Sequence, residues 1–149
     1  FTGMMALPAE LSLAEREGAL FLRTRPAVDW ESLGIVPVCV PSEENWREER
    51  AGAPFLLETD VYTPLRIFRN GEELVWVSPE TGEVHLGAET GQAPRFRLEG
   101  GLQFIVDRGV LELRLAGGLS WMAAPGPDSL EGIWELIREG TNTEKPHPG

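Results

Sequence analysis

The chain has two histidines, one cysteine, five tryptophans and twenty-four acids, and these limit the chemistry it can perform. Cys39 sits inside the apolar run Ile35 to Val40, which reads as a buried, inert thiol and not as a nucleophile; a single cysteine also permits no internal disulfide. His85 and His147 are far apart, and His147 lies in a Pro-rich tail, so neither a His/Cys metal site nor a Ser-His-Asp triad can be assembled. No metal and no cofactor are implied. Carboxylates are the remaining option, since glycoside cleavage needs two carboxyl groups about 5 to 9.5 Å apart across the bond. Glu58 and Asp60, two apart on an expected strand, share one face at such a spacing. So acidic a chain produces many such pairs by composition alone, and the preferred reading is that both face solvent. No catalytic residue is therefore assigned. Exposed tryptophans offer another chemistry, stacking on sugar rings. Trp30 and Trp46 lie in polar stretches and are the candidate carbohydrate-binding residues, while Trp76, Trp121 and Trp134 lie in apolar runs and read as core.

The elements that must position these residues are short. From residue 54 onward the pattern is of brief strands at intervals of about 8 to 12 residues, without helical periods between them, which predicts an all-β, antiparallel two-sheet β-sandwich. Expected strands are 55–61, 65–69, 73–78, 83–87 and 95–99, then a meander from Leu102 to Ala123. Asn70-Gly71 is the strongest hairpin signal, and Asp107-Arg108-Gly109 and Gly117-Gly118 mark the reversals of the meander. Within it Leu111, Leu113 and Leu115 alternate with Glu112 and Arg114, so the leucines are expected in the core and the charged pair in water.

Upstream, 9–13 and 19–23 form an expected hairpin, 35–40 a strand placed at a sheet edge by Pro37, and 43–50 a short helix capped by Ser42 or a solvated loop. The stretch 132–139 satisfies both helical and strand spacing and is read as a strand. The domain boundaries that follow are an apolar interdomain segment at 1–8, the sandwich at 9–139 and a polar tail at 140–149.

A net charge of −11 with no Lys/Arg cluster argues against nucleic acid and against an anionic membrane surface as partners. No stretch reaches the roughly 20 apolar residues of a membrane helix. With 42% hydrophobic and 25% charged residues, the composition is that of one globular domain. Phe1-Thr2-Gly3 reads like the interior of a longer protein, and both a cytoplasmic and a secreted location stay open.

Two stretches carry a family resemblance. FTGMMALPAELSL resembles the motif W-x-G-x-M-x-L-P-R-E-L-x-L of glycoside hydrolase family thirty-two, the invertase, levanase and inulinase group, through Gly3, Met5, Leu7, Pro8, Glu10, Leu11 and Leu13. FIVDRGVLELRLAGG is similar to the F-V-D-R-S-S-V-E-V-F-V-N-D-G signature near the end of that family's accessory domain, with Val106, Asp107, Arg108 and Glu112 aligned. Phe1 and Ala9 depart from the first motif, and Leu113 and Ala116 from the second. The resemblance implies a C-terminal β-sandwich packed on an upstream five-bladed propeller, where the catalytic carboxylates would lie; N-D-P-N, R-D-P and E-C are all missing from this chain. It also implies that Phe1, Met4, Met5, Leu7 and Pro8 form the domain interface. Asp107, Arg108 and Glu112 are read as a structural motif, Asp107 and Arg108 giving local hydrogen bonds and a partly buried ion pair.

The function expected is that of a non-catalytic module of a β-fructofuranosidase-like hydrolase acting on sucrose or fructans. It would brace the propeller, with oligomer or fructan contacts as further roles. The alternative is an independent, lectin-like carbohydrate-binding sandwich.

Overall fold

A computed structural model describes residues 9–32, 34, 37–41, 45–51, 56–60, 63–92, 101–107, 109–129 and 131–140. Apart from one 3-10 turn at Ala116–Gly118, the regular structure described is all strand. The expected interface residues Phe1, Met4, Met5, Leu7 and Pro8, the expected strand 95–99, Arg108 and the tail from 141 lie outside the described residues.

Thirteen strands are described: β1 (Ala9–Arg16), β2 (Ala19–Pro26), β3 (Val38–Cys39), β4 (Trp46–Ala51), β5 (Leu56–Thr59), β6 (Leu65–Arg69), β7 (Glu72–Val77), β8 (Glu83–Leu86), β9 (Glu89–Gln92), β10 (Leu102–Asp107), β11 (Val110–Leu115), β12 (Ser120–Pro125) and β13 (Ile133–Arg138). They form a five-stranded sheet in the order β12-β11-β10-β5-β3, a six-stranded sheet in the order β4-β13-β6-β7-β8-β9, and the separate β1-β2 hairpin. The two large sheets face each other across one core, so the fold is the β-sandwich the strand spacing predicts. All pairings are antiparallel except the short one between β3 and β5, which is parallel and puts β3 at a sheet edge.

The core draws alternate residues from each strand, as a half-buried sheet requires. Leu57, Phe104, Leu113 and Leu111 come from the smaller sheet, and Ile67, Val75, Val77, Leu86, Trp134 and Leu136 from the larger. Antiparallel pairing with both β4 and β6 makes Ile133–Arg138, within the stretch 132–139, a strand as expected, and Trp134 on it is fully buried. Turn chemistry fixes the registers. Arg16 pairs with Ala19 and Arg69 with Glu72, so both hairpins close through two residues. Glu17 and Gly18 (φ 50° and 81°), and Asn70 and Gly71 (φ 49° and 84°), take the double positive φ of type I′ turns, whose twist matches that of the strands they join.

Three local expectations are corrected. The stretch read as a short helix or loop at 43–50 contributes β4, whose residues pair along β13 from Trp46↔Arg138 to Ala51↔Ile133. The edge of β13 satisfies that backbone through six pairings, while Ser42, the expected cap, lies outside the described residues. Trp121 is 46% exposed, because it occupies the outer face of β12 while Met122 and Ala124 face inward. Glu112 and Arg114, expected in water, are 1% and 3% exposed. The alternation along β11 is present, but its second face is covered.

Candidate functional site

Cross-strand register builds the site. Cys39 lies opposite Glu58, Glu58 opposite Gln103, Gln103 opposite Arg114 and Arg114 opposite Trp121, a single row crossing all five strands on the side away from the core. Each member comes from a different strand and is adjacent to a core-facing residue (Val38, Leu57, Phe104, Leu113 or Met122), so the pleat aims all five outward.

The β1-β2 hairpin is clasped onto this face. Arg114 Nε donates to Thr24 Oγ1 at 3.2 Å, and the Thr24 hydroxyl donates in turn to the Gly118 carbonyl at 3.5 Å. The approach is so close that a Cβ on Gly118 would stand 2.0 Å from the Thr24 carbonyl oxygen, and Gly118 has φ +99°. Only glycine meets both conditions. This cover is what takes Arg114 and Glu112 out of water. Arg114 Nη1 donates to Glu112 Oε1 at 3.3 Å, Trp121 Nε1 donates to the same oxygen at 3.2 Å, and the guanidinium lies 5.9 Å from the Trp121 ring centroid. Burial pulls the Arg114 pKa below its usual value, and the Glu112 charge and hydrogen bond oppose that. Glu112 thus joins a buried network within the second motif. Asp107 is half-buried at the end of β10, and the ion pair expected of it involves Arg108, outside the described residues.

Between the hairpin base and the sheet edge lies a groove of about 720 Å³. Glu58, Gln103 and Arg114 line its sheet side, Glu10, Thr24, Arg25 and Pro26 its hairpin side, and Trp30, Cys39 and Asp60 complete it. Gln103 Nε2 donates to Glu58 Oε2 at 3.1 Å, and Arg25 pairs with Glu10 at 3.4 Å. Cys39, expected to be buried, is exposed here. It is on the outward side of an edge strand, while its neighbours Val38 and Val40 turn toward the core.

The two candidate sugar-binding tryptophans are not brought together. Trp30 is half-buried and lines the groove, whereas Trp46 packs against the core from β4 of the other sheet. Trp76 is also half-buried, its ring centroid 4.9 Å from that of His85 and 5.8 Å from the Arg66 guanidinium. Glu58 and Asp60 both line the groove, Glu58 half-buried and Asp60 exposed. Among the described residues no group of three or more His, Cys, Asp or Glu could hold a metal ion. Sequence reasoning missed Gln103, Arg25 and Thr24 because nothing in their spacing marks them; the groove exists only where a distant hairpin meets the sheet.

The class this architecture defines is an antiparallel β-sandwich with a hairpin clasped to one outer face. No protein-family model matches the sequence, and no curated protein is similar to it. Among solved structures, the chain is similar to fructofuranosidase from Schwanniomyces occidentalis complexed with fructose, at 14% identity and a TM-score of 0.49, over 91% of this chain and 37% of that one. It is also similar to the E230A fructofuranosidase of the same organism complexed with fructosylnystose, at 10% identity and a TM-score of 0.46, over 89% and 36%. The chain therefore spans little more than a third of either.

Proposed function

We propose that this chain is the non-catalytic β-sandwich module of a β-fructofuranosidase-like glycoside hydrolase, and that it braces an upstream catalytic propeller. The family part of the reading is supported by the two sequence stretches; of the first, the matched Glu10, Leu11 and Leu13 are on β1, and of the second, the matched Val106, Asp107 and Glu112 are on β10 and β11.

The bracing role is carried by one observation. On the β1-β2 hairpin Leu11, Leu13, Leu20 and Leu22 are 63%, 72%, 70% and 53% exposed. Register puts Leu13 opposite Leu22, and Leu11 and Leu20 on the same face of the ribbon. Four leucines left in water on one face forgo about 1.5 to 3 kcal/mol each on full burial, which suits a surface that another domain covers. Between Ala9 and Pro26 three acids balance three arginines, so the hairpin as a whole is neutral within a chain of net charge −11, and Glu15 is the one charged residue among the leucines. Long-range repulsion would not oppose its docking.

The test is to express the upstream propeller separately and measure its association with this chain. The double variant Leu13→Asp with Leu22→Asp should abolish association while leaving the thermal unfolding of the sandwich unchanged. A wild-type chain indifferent to the propeller would sink the bracing role.

A further inference from the structure

We propose that the groove between the hairpin base and the outer face of the five-stranded sheet is a binding site for a neutral saccharide. The groove lies at the base of the hairpin, where Thr24 pairs with Leu11, whereas the bracing role is tested at Leu13 and Leu22 further toward the turn, so the two proposals are probed at different residues.

The chemistry of the lining selects the ligand class. Arg114 is already neutralised by Glu112, which leaves Glu10, Glu58 and Asp60 against Arg25; this net acidic lining disfavours an anion, and among the described residues no group of three or more His, Cys, Asp or Glu could hold a metal ion. Glu10 and Arg25 are already paired at 3.4 Å, and Glu58 already accepts from Gln103 at 3.1 Å. What this leaves is a closely spaced set of acceptors and donors: carboxylate oxygens, the Gln103 amide and the Arg25 guanidinium. Vicinal hydroxyls, each a donor and an acceptor, match such a set, and planar carboxylate and amide groups can engage two of them at once. Trp30 adds an aromatic wall of the kind against which the C–H face of a sugar ring packs. The volume of about 720 Å³ lies within the span of about 300 to 1,000 Å³ usual for small-ligand clefts.

Cys39 provides the assay. It is the chain's single cysteine, it is exposed, and it lines the groove beside Glu58. Alkylation of Cys39 by iodoacetamide therefore reports directly on occupancy. An inulin-type fructo-oligosaccharide and maltopentaose serve as neutral probes, with oligogalacturonate as the anionic control. At least one neutral probe should slow alkylation about tenfold when its concentration is about ten times the dissociation constant. The protection should be lost in Trp30→Ala and reduced in the conservative Glu58→Gln, with circular dichroism showing both variants folded; should Trp30→Ala fail to fold, Trp30→Phe, which keeps an aromatic wall, should retain protection. Absence of protection by either neutral probe at millimolar concentration, equal protection by oligogalacturonate, or protection unchanged in both Trp30→Ala and Glu58→Gln would overturn the site.

Discussion

Arg138 of β13 donates a hydrogen bond from Nη2 to Thr59 Oγ1 of β5, joining the two sheets of the sandwich through a guanidinium that is 1% exposed. The same side chain donates from Nε to the Pro41 carbonyl at 2.9 Å, from Nη1 to Thr63 Oγ1 at 3.2 Å, and from Nη2 to the Asp60 carbonyl. Five donors in a fixed fork can satisfy four oxygens around one point, which a lysine could not.

Removing the fork should be costly. Arg138→Met is expected to destabilise the sandwich by about 3 kcal/mol, because the acceptors around it lose their partner in a dry site. Chemical denaturation would measure it, and a loss no larger than that of a typical surface substitution would contradict the assignment.

The Arg138 contribution should be independent of pH around neutrality. Burial lowers its pKa from the usual value, and the Asp60 charge works in the other direction. A base whose pKa is lower folded than unfolded gains stability as pH rises through the folded value and shows no dependence below it. A guanidinium is not deprotonated in proteins over the accessible range, so the difference in stability between wild type and Arg138→Met should be flat between about pH 5 and pH 9. Denaturation midpoints across that range would check it.

Gly118→Ala should release the hairpin. Its Cβ would meet the Thr24 carbonyl oxygen at 2.0 Å, and the backbone there has positive φ, so relief requires the hairpin to move away. A loss of about 2 to 4 kcal/mol is expected, with faster tryptic cleavage after Arg23. Gly71→Ala has comparable φ but open space around it, and should cost only about 1 kcal/mol.

Glu112→Gln leaves the buried Arg114 without its charged partner. The cost should be about 3 kcal/mol, and the double variant Glu112→Gln with Arg114→Met should recover part of it, as a coupled buried pair requires. Strict additivity in that cycle would show the two to be independent.

The chain alone should release no fructose from sucrose or inulin. Hydrolysis by purified protein, abolished by Glu58→Gln or Asp60→Asn, would overturn the non-catalytic reading.

The sequence by itself determined the all-β architecture, the principal hairpins and most strand positions, because these depend on two local properties: alternation at period two, and residues such as Asn70-Gly71 or Gly109 that accept positive φ. It also determined which face of each core strand is apolar. What it left open was the fate of the other face. Glu112 and Arg114 follow the same alternation as solvent-facing residues, and only the return of Thr24, ninety positions away in sequence, buries them. Trp121 and Cys39 went wrong for the related reason that an apolar run does not say which of its members points outward at a sheet edge. β4 became a strand because β13 offered it an edge, a partner no local pattern reveals. The groove belongs wholly to the tertiary structure: its residues come from a hairpin, a loop and four strands, and their spacing in the chain carries no trace of the distance between them in space.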